Sequence, residues 1–173
     1  FVVLLVAAII IKAPEAPTAG ASKTAAADDN THHYTSAEMM KTSRFWIFFL
    51  WAIALNSAGL MVINSAANIS VAYGGSAVLG MIVSLFNGAG RIVAGNNFDR
   101  FGRKTSSIVN NIFMIIAGAL LIAGGVSHSL ILVVIGLIFV GLSYGGTPTI
   151  TSAYVNKAFG AKYFATNFSI ANF

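Results

Sequence analysis

Apolar residues run along this chain in stretches longer than an ordinary core helix needs, separated by short polar turns. A helix crosses the hydrocarbon of a bilayer in about 20 mostly apolar residues, and four stretches qualify in full, at roughly 45–67, 75–97, 105–126 and 129–151. Phe1 to Ile11 supplies the end of an earlier helix, and 162–173 the start of a later one. The run at 1–11 has the length of a signal-peptide core. No basic leader precedes it and Lys12 follows it, so it reads as the tail of a membrane helix. Both ends look cut, and the expectation is a fragment of a larger protein. Residues 12–43 are rich in Ala, Thr, Pro and Asp and read as a solvated linker, with a short amphipathic element at Ser36 to Thr42 just before the membrane. The expected fold is therefore an all-α membrane bundle with four complete transmembrane helices plus two partial ones. Its divisions are 1–11 (helix end), 12–43 (loop) and 44–173 (membrane region).

Composition agrees with this pattern. Hydrophobic residues make up 57% of the chain, charged residues only 9%, and the mean hydropathy is +0.80. A soluble domain carries about 25% charged residues, so this chain lacks the polar surface to stand in water and its expected partner is the lipid bilayer. A net charge of +5 and a pI near 9.8 would ordinarily raise nucleic-acid binding. Here the basic residues sit in loops between apolar spans rather than on one face, and no nucleic acid is expected. The absence of cysteine excludes disulfide and thiol chemistry.

The basic residues also give an orientation. Lys12, Lys23, Lys41 and Arg44 precede the first full span, Arg100, Arg103 and Lys104 fill the second turn, and Lys157 and Lys162 the fourth. The first turn, Ala67 to Gly75, and the third, Gly125 to Ser129, hold no Lys or Arg. Positive charge favours the cytoplasmic side, which puts the linker and the charged second turn there.

Small and polar residues inside the spans mark where helices meet. Gly141 and Gly145 form a GxxxG pair, with Gly80, Gly88, Gly95, Gly118 and Gly124 spread over the other spans. Close approach of backbones drives helix association in lipid. Pro148 is expected near the cytoplasmic end of the fourth span, kinking it and freeing carbonyls. Ser84, Asn87 and Arg91 share one helix face at spacings of three and four, and Ser57, Asn64 and Asn68 make a second stripe on the preceding span. Such stripes at membrane depth face a bundle interior or a water-filled cavity. Arg91 is the one charge buried within a span, roughly 10 Å from its cytoplasmic end. It reads either as a cation for an anionic substrate or as a side chain that snorkels to the headgroups or pairs with Asp99.

Other chemistry finds little support. Gly88-Ala89-Gly90 begins a GxGxxG, but Val93 stands at its third position and no strand precedes it. His32 and His33 are paired without a further ligand nearby in sequence, so no metal site is expected, and His128 reads as a solvated loop residue. Asn68-Ile69-Ser70 is a glycosylation sequon on the outer side, relevant only in a eukaryote. No Ser/His/Asp set is present, and an intramembrane enzyme would need residues that this chain does not supply.

The most densely charged stretch is 87–104, which holds Arg91, Asp99, Arg100, Arg103 and Lys104, a third of all charged residues. Within it, Gly95, Asp99, Arg100, Gly102, Arg103 and Lys104 match the G-x-x-x-D-R-x-G-R-[RK] loop signature of the major facilitator superfamily. Inside that superfamily the chain resembles the oxalate/formate antiporter family over nearly its whole length. The resemblance rests on Tyr34-Thr35-Ser36-Ala37-Glu38-Met39-Met40, Phe45-Trp46, Asn87-Gly88-x-x-Arg91, Tyr144-Gly145-Gly146, Phe159-Gly160 and Asn167-Phe168.

The resemblance implies a register in which 1–11 ends helix 6, 12–43 is the central cytoplasmic loop, the four full spans are helices 7 to 10, and helix 11 opens at the end. It makes Arg91 the helix-8 arginine that binds substrate carboxylates together with a helix-11 lysine, which would fall just past Phe173. Tyr144 falls where the oxalate carrier has a substrate-packing Trp, and Pro148 stands where a further aromatic is expected, so the resemblance carries to a small carboxylate without singling out oxalate. What it implies is a secondary transporter of small organic anions (oxalate, formate or related acids) working by alternating access with a missing N-terminal half, in the plasma membrane of a prokaryote. Arg91, Asn87 and Tyr144 would bind substrate, and Gly95, Asp99, Arg100, Gly102, Arg103 and Lys104 would gate the conformational change. Neither a cofactor, a metal nor an enzymatic activity is implied. The competing class is a transporter-like receptor or regulator that binds a solute without moving it.

Overall fold

A computed structural model describes residues 32–172. The expected helix end at 1–11 and most of the linker lie outside the described residues. The first described element is the short helix α1, Ser36–Met40. Thr35 and Glu38 close its first turn by a reciprocal capping box, which is why the amphipathic stretch begins there. Thr42 caps the next helix, α2, Ser43–Ala72, through its side-chain oxygen on the Phe45 amide. There follow α3, Ala77–Gly80, then α4, Ile82–Ser127, α5, Leu130–Phe159, and α6, Phe164–Ala171. No strand occurs among the described residues.

Among the described residues, three elements are long and apolar enough to cross a membrane: α2, the stretch Ala77–Ser127 and α5. The 30 residues of α2 or α5 rise about 45 Å, which covers hydrocarbon and headgroups together. The 46 residues of α4 would rise about 69 Å, too long for one crossing. Gly102 divides it. At φ 75°, ψ −178° this residue leaves the helical region for one that only glycine adopts readily, so α4 is two legs, 82–101 and 103–127. These correspond to the second and third expected spans. The charged turn expected between them is corrected to a single residue, because Asp and Arg are tolerated in helices and only Gly102 needs to break. The fourth span is also longer than expected. Pro148 lies well inside α5 and the helix runs on for eleven more residues to Phe159.

α5 is the central helix. Half of its most apolar stretch (50%) is buried within the bundle, against 22% for α2 and 17% for Ala77–Ser127. One face of α5 meets the first leg of α4 backbone to backbone. A Cβ on Gly90 or Gly145 would run into the carbonyls of Leu142 and Asn87 respectively, and one on Gly141 would strike Phe86 and Asn87 at about 3 Å. The GxxxG pair is thus where the helices touch, as lipid-embedded packing requires. The second leg adds polar contacts: the Asn110 side-chain amide donates to Thr147 Oγ1 (3.0 Å), and Ser143 Oγ donates to the Asn110 carbonyl (3.0 Å). Two apolar clusters complete the core. One joins Phe45 and Phe48 of α2 to Ile150 and Tyr154 of α5, with Met39 and Ala171 sealing it. The other gathers Ala66, Val83, Ala117, Val133 and Leu137.

Candidate functional site

The first leg of α4 and the second half of α5 diverge from the glycine seam and leave a cavity of about 440 Å³. Arg91, Gly95 and Asp99 line one wall at successive turns, since residues four apart on a helix stack on one face. Pro148, Thr149, Ser152 and Asn156 line the other, and Phe168 of α6 closes the side. Polar groups thus face one another across the cavity, with a guanidinium toward one end and a carboxylate toward the other. Eight residues separate Arg91 from Asp99, a rise of about 12 Å. Pro148 has no N–H to give the carbonyl of Tyr144, so a backbone acceptor loses its helical partner on this helix. Thr149 Oγ1 turns back to the Gly145 carbonyl at 3.4 Å.

The expected site residues are distributed over three places. Arg91 lies on the cavity wall together with Gly95 and Asp99. Asn87, one turn before Arg91, is pressed against Gly145 in the α4–α5 seam, and its Oδ1 is buried without a hydrogen-bond partner. Tyr144 packs its ring on Gly59 of α2. Neither Asn87 nor Tyr144 lines the cavity. Of the loop signature, Gly102 is the helix break and Arg100 is exposed. Arg103 and Lys104 line a different groove beside α2, and the Arg103 guanidinium lies over the Tyr154 ring at 4.9 Å.

Thr149, Ser152, Asn156 and Phe168 were not expected as site residues from sequence. The signal for three of them was present: Thr149, Ser152 and Asn156 recur at spacings of three and four, a polar stripe on one face of α5. Ending that span at 151 hid it. No group of three potential metal ligands occurs among the described residues. His33 instead packs on Gly160, with its Nδ1 buried and unpaired.

A strap holds α6 in place beside the cavity. The Tyr34 N–H donates to the Phe159 carbonyl (3.0 Å), Ser36 Oγ donates to Asn167 Oδ1 (2.8 Å), and the Asn167 amide donates to the Tyr34 carbonyl (2.9 Å). Asn167 is fully buried, so both ends of its amide are satisfied by the segment that precedes α2. The adjacent Phe168 thereby reaches the cavity wall.

Long apolar helices joined through glycine seams, with a polar cavity between them, define an integral membrane protein of the polytopic helical class. The chain belongs to the Major Facilitator Superfamily, whose family model matches residues 1–173. It is 26% identical over 176 residues to the oxalate:formate antiporter of Oxalobacter formigenes, covering 96% of this chain and 40% of that protein. It is 25% identical over 144 residues to an uncharacterised MFS-type transporter, YhjX, of Escherichia coli (strain K12), covering 79% of this chain and 35% of that protein. The chain therefore spans less than half the length of these relatives. Membership of this family points to a transporter rather than an enzyme.

Proposed function

We propose that this chain is the greater part of the C-terminal half of a secondary transporter that moves small organic anions, mono- or dicarboxylates, by alternating access. The observation that carries the reading is Arg91, an exposed cation at membrane depth on the wall of a polar cavity. Charges at that depth are costly and mark substrate or ion paths. A guanidinium offers two parallel N–H donors to a carboxylate, with Thr149 and Ser152 opposite as neutral hydrogen-bonding groups. Asn87 and Tyr144, which do not line this cavity, are proposed to meet the substrate only when the helices rearrange, and the unpaired Asn87 acceptor supplies a group that a protonated ligand or a rotated helix would satisfy. The relative from Oxalobacter formigenes, an oxalate:formate antiporter by name, supports a carboxylate and exchange. In the proposed orientation, residues 12–43 and the charged residues around Gly102 face the cytoplasm of a prokaryotic cell. Gly95, Asp99, Arg100, Gly102, Arg103 and Lys104 then set the balance between inward-open and outward-open states against an N-terminal half.

The test is uptake in proteoliposomes together with substrate-induced thermal stabilisation of the full-length protein. Arg91→Lys keeps the charge and loses the fork, so most carboxylate transport should disappear. Arg91→Gln should lose binding by roughly 2–5 kcal/mol if the charge pair is desolvated. Near-normal carboxylate uptake by the Lys variant would make Arg91 a structural residue and remove the anion assignment. Substrate stabilisation without uptake would instead indicate a receptor.

A further inference from the structure

A buried amide on a short helix demands partners. Asn167 is fully buried on α6, and without hydrogen bonds its amide would cost stability that an apolar side chain of similar size would not. Both ends of that amide are paired with one segment, 34–36: Ser36 Oγ donates to Oδ1, and Nδ2 donates to the Tyr34 carbonyl. The Tyr34 N–H in turn takes up the Phe159 carbonyl, one of those that a helix end leaves free. Its ring meets Phe159 edge-on, with centroids 5.6 Å apart. Gly160, at φ 83°, turns the chain out of α5 between these contacts. The buried face of α6 is therefore held by bonds that have direction, whereas apolar packing alone would tolerate rotation about the helix axis.

The next residue carries the consequence. One residue turns about 100° around a helix, so with Asn167 fixed toward the strap, Phe168 is fixed toward the cavity that Arg91 lines. Phe164, one turn earlier, stacks on the Phe168 ring with centroids 5.5 Å apart and planes 15° apart, and so backs it. All of these contacts join residues within the described bundle, so the strap does not depend on what covers the outer faces. We propose that Asn167 is a positioning residue: held by Ser36 and Tyr34, it sets the place of Phe168 in the cavity, and through that ring the fit of the carried solute. This rests on the reading of the cavity as the solute site. Without the strap α6 is free to turn, and the Phe168 wall moves while Arg91 and Thr149 stay on their own helices. A carboxylate then keeps its polar partners and loses its apolar wall, so affinity falls more than turnover does.

The experiment uses the full-length protein and has two arms. In the first, Phe168→Cys is the reporter in a background freed of other cysteines, at a position that is half-buried. Ser36→Ala should speed modification of that thiol by a small reagent roughly threefold, the worth of one interhelical hydrogen bond, and Asn167→Ala, which loses two, roughly tenfold. Ser36→Thr keeps the donor and should restore the slow rate. In the second arm, with Phe168 in place, uptake of formate and of oxalate is measured in proteoliposomes. Ser36→Ala and Asn167→Ala should raise KM with a smaller change in maximal rate. Phe168→Ala should raise KM as well, and adding Asn167→Ala to it should raise KM no further, because the strap acts through that ring. Gly124→Ala crowds Val133 at the opposite end of α5, so it should lower thermal stability and leave both the labelling rate and KM near wild type. Unchanged labelling in both Ser36→Ala and Asn167→Ala would overturn the proposal. So would a Gly124→Ala variant that behaves as they do, or KM effects that add in the double variant. The labelling arm contains no solute. If the wild type moves neither formate nor oxalate, the transport reading of the cavity loses its support, and the thiol rates still decide whether the strap positions Phe168.

Discussion

At Gly145 and Gly88 the same substitution should have opposite consequences, although both are helical glycines in apolar surroundings. A Cβ at Gly145 would meet the Asn87 carbonyl, a backbone group that a rotamer change does not move, whereas nothing lies within 4 Å of one at Gly88. Gly145→Ala should therefore cost roughly 1–3 kcal/mol through overpacking and lower the melting temperature in detergent. Gly88→Ala should leave it unchanged or raise it slightly, since alanine favours the helix. Equal melting temperatures would mean that the α4–α5 seam is looser than the backbone contacts require. Asp99 supplies a second residue-scale prediction. It shares the cavity wall with Arg91 and is exposed, so Asp99→Asn should leave expression near normal while lowering transport by shifting the balance of states. Normal uptake at wild-type protein levels would make it a solvated charge. Arg91 was legible in the sequence because a charge inside an apolar run stands out. Thr149, Ser152 and Asn156 were not, because hydroxyls and amides at helical spacing are common and only the divergence of α4 from α5 gives them a cavity to face.

Elements differ in how much of them hydropathy records. The spans were readable because crossing lipid imposes a length and an apolar composition. The break at Gly102 was readable only as a region, since the charges that mark it do not say which residue leaves the helix. The strap at 34–36 was not readable at all. Its hydrogen bonds link Ser36 and Tyr34 to Asn167 across more than 130 residues, a separation that no local pattern encodes. It does explain why stretches so far apart in sequence, Tyr34 to Met40, Phe159-Gly160 and Asn167-Phe168, together carry the family resemblance: they meet at one place. Asn167→Ala should free α6 from that strap, leaving Ser36 Oγ and the Tyr34 carbonyl without their partner. Each interhelical hydrogen bond in such a bundle is worth roughly 0.6–2 kcal/mol, so the loss should reach a few kcal/mol and speed proteolysis before α2. Asn167→Asp retains the acceptor for Ser36 and loses the donor to Tyr34, so its damage should fall between wild type and Ala. Wild-type protease resistance in both variants would show that apolar packing of Met39 and Phe159 alone seats the segment.

Over the whole molecule, the polar positions not used in internal packing define a face. Ser57, Asn64 and Asn68 on α2 and Ser84 on α4 are all exposed, while Ala52, Leu55, Gly59 and Ala66 on the other side of α2 are buried. Polar groups at membrane depth are poorly suited to lipid, so this is the face that an N-terminal half would cover in the proposed transporter. The orientation of that assembly rests on nine of the ten Lys and Arg, and the structure sharpens how to test it. Two reporters are needed, one at each end of the second α4 leg, and both must be open to reagent. Ser127 ends that leg and is exposed. At the charged end, Ser106 is buried (2% exposed) with its hydroxyl on the Gly102 carbonyl, so its silence toward a reagent would say nothing about sidedness, whereas the neighbouring Thr105 is exposed. In a full-length background freed of other cysteines, Ser127→Cys should react with an impermeant thiol reagent added to intact cells. Thr105→Cys should react only after the membrane is permeabilised. The leg between them spans 22 residues, about 33 Å of helix, enough to put the two reporters on opposite sides of the hydrocarbon. Labelling of both from outside would end the topology argument. Labelling of Thr105→Cys alone would invert it, placing the loop signature on the outer surface.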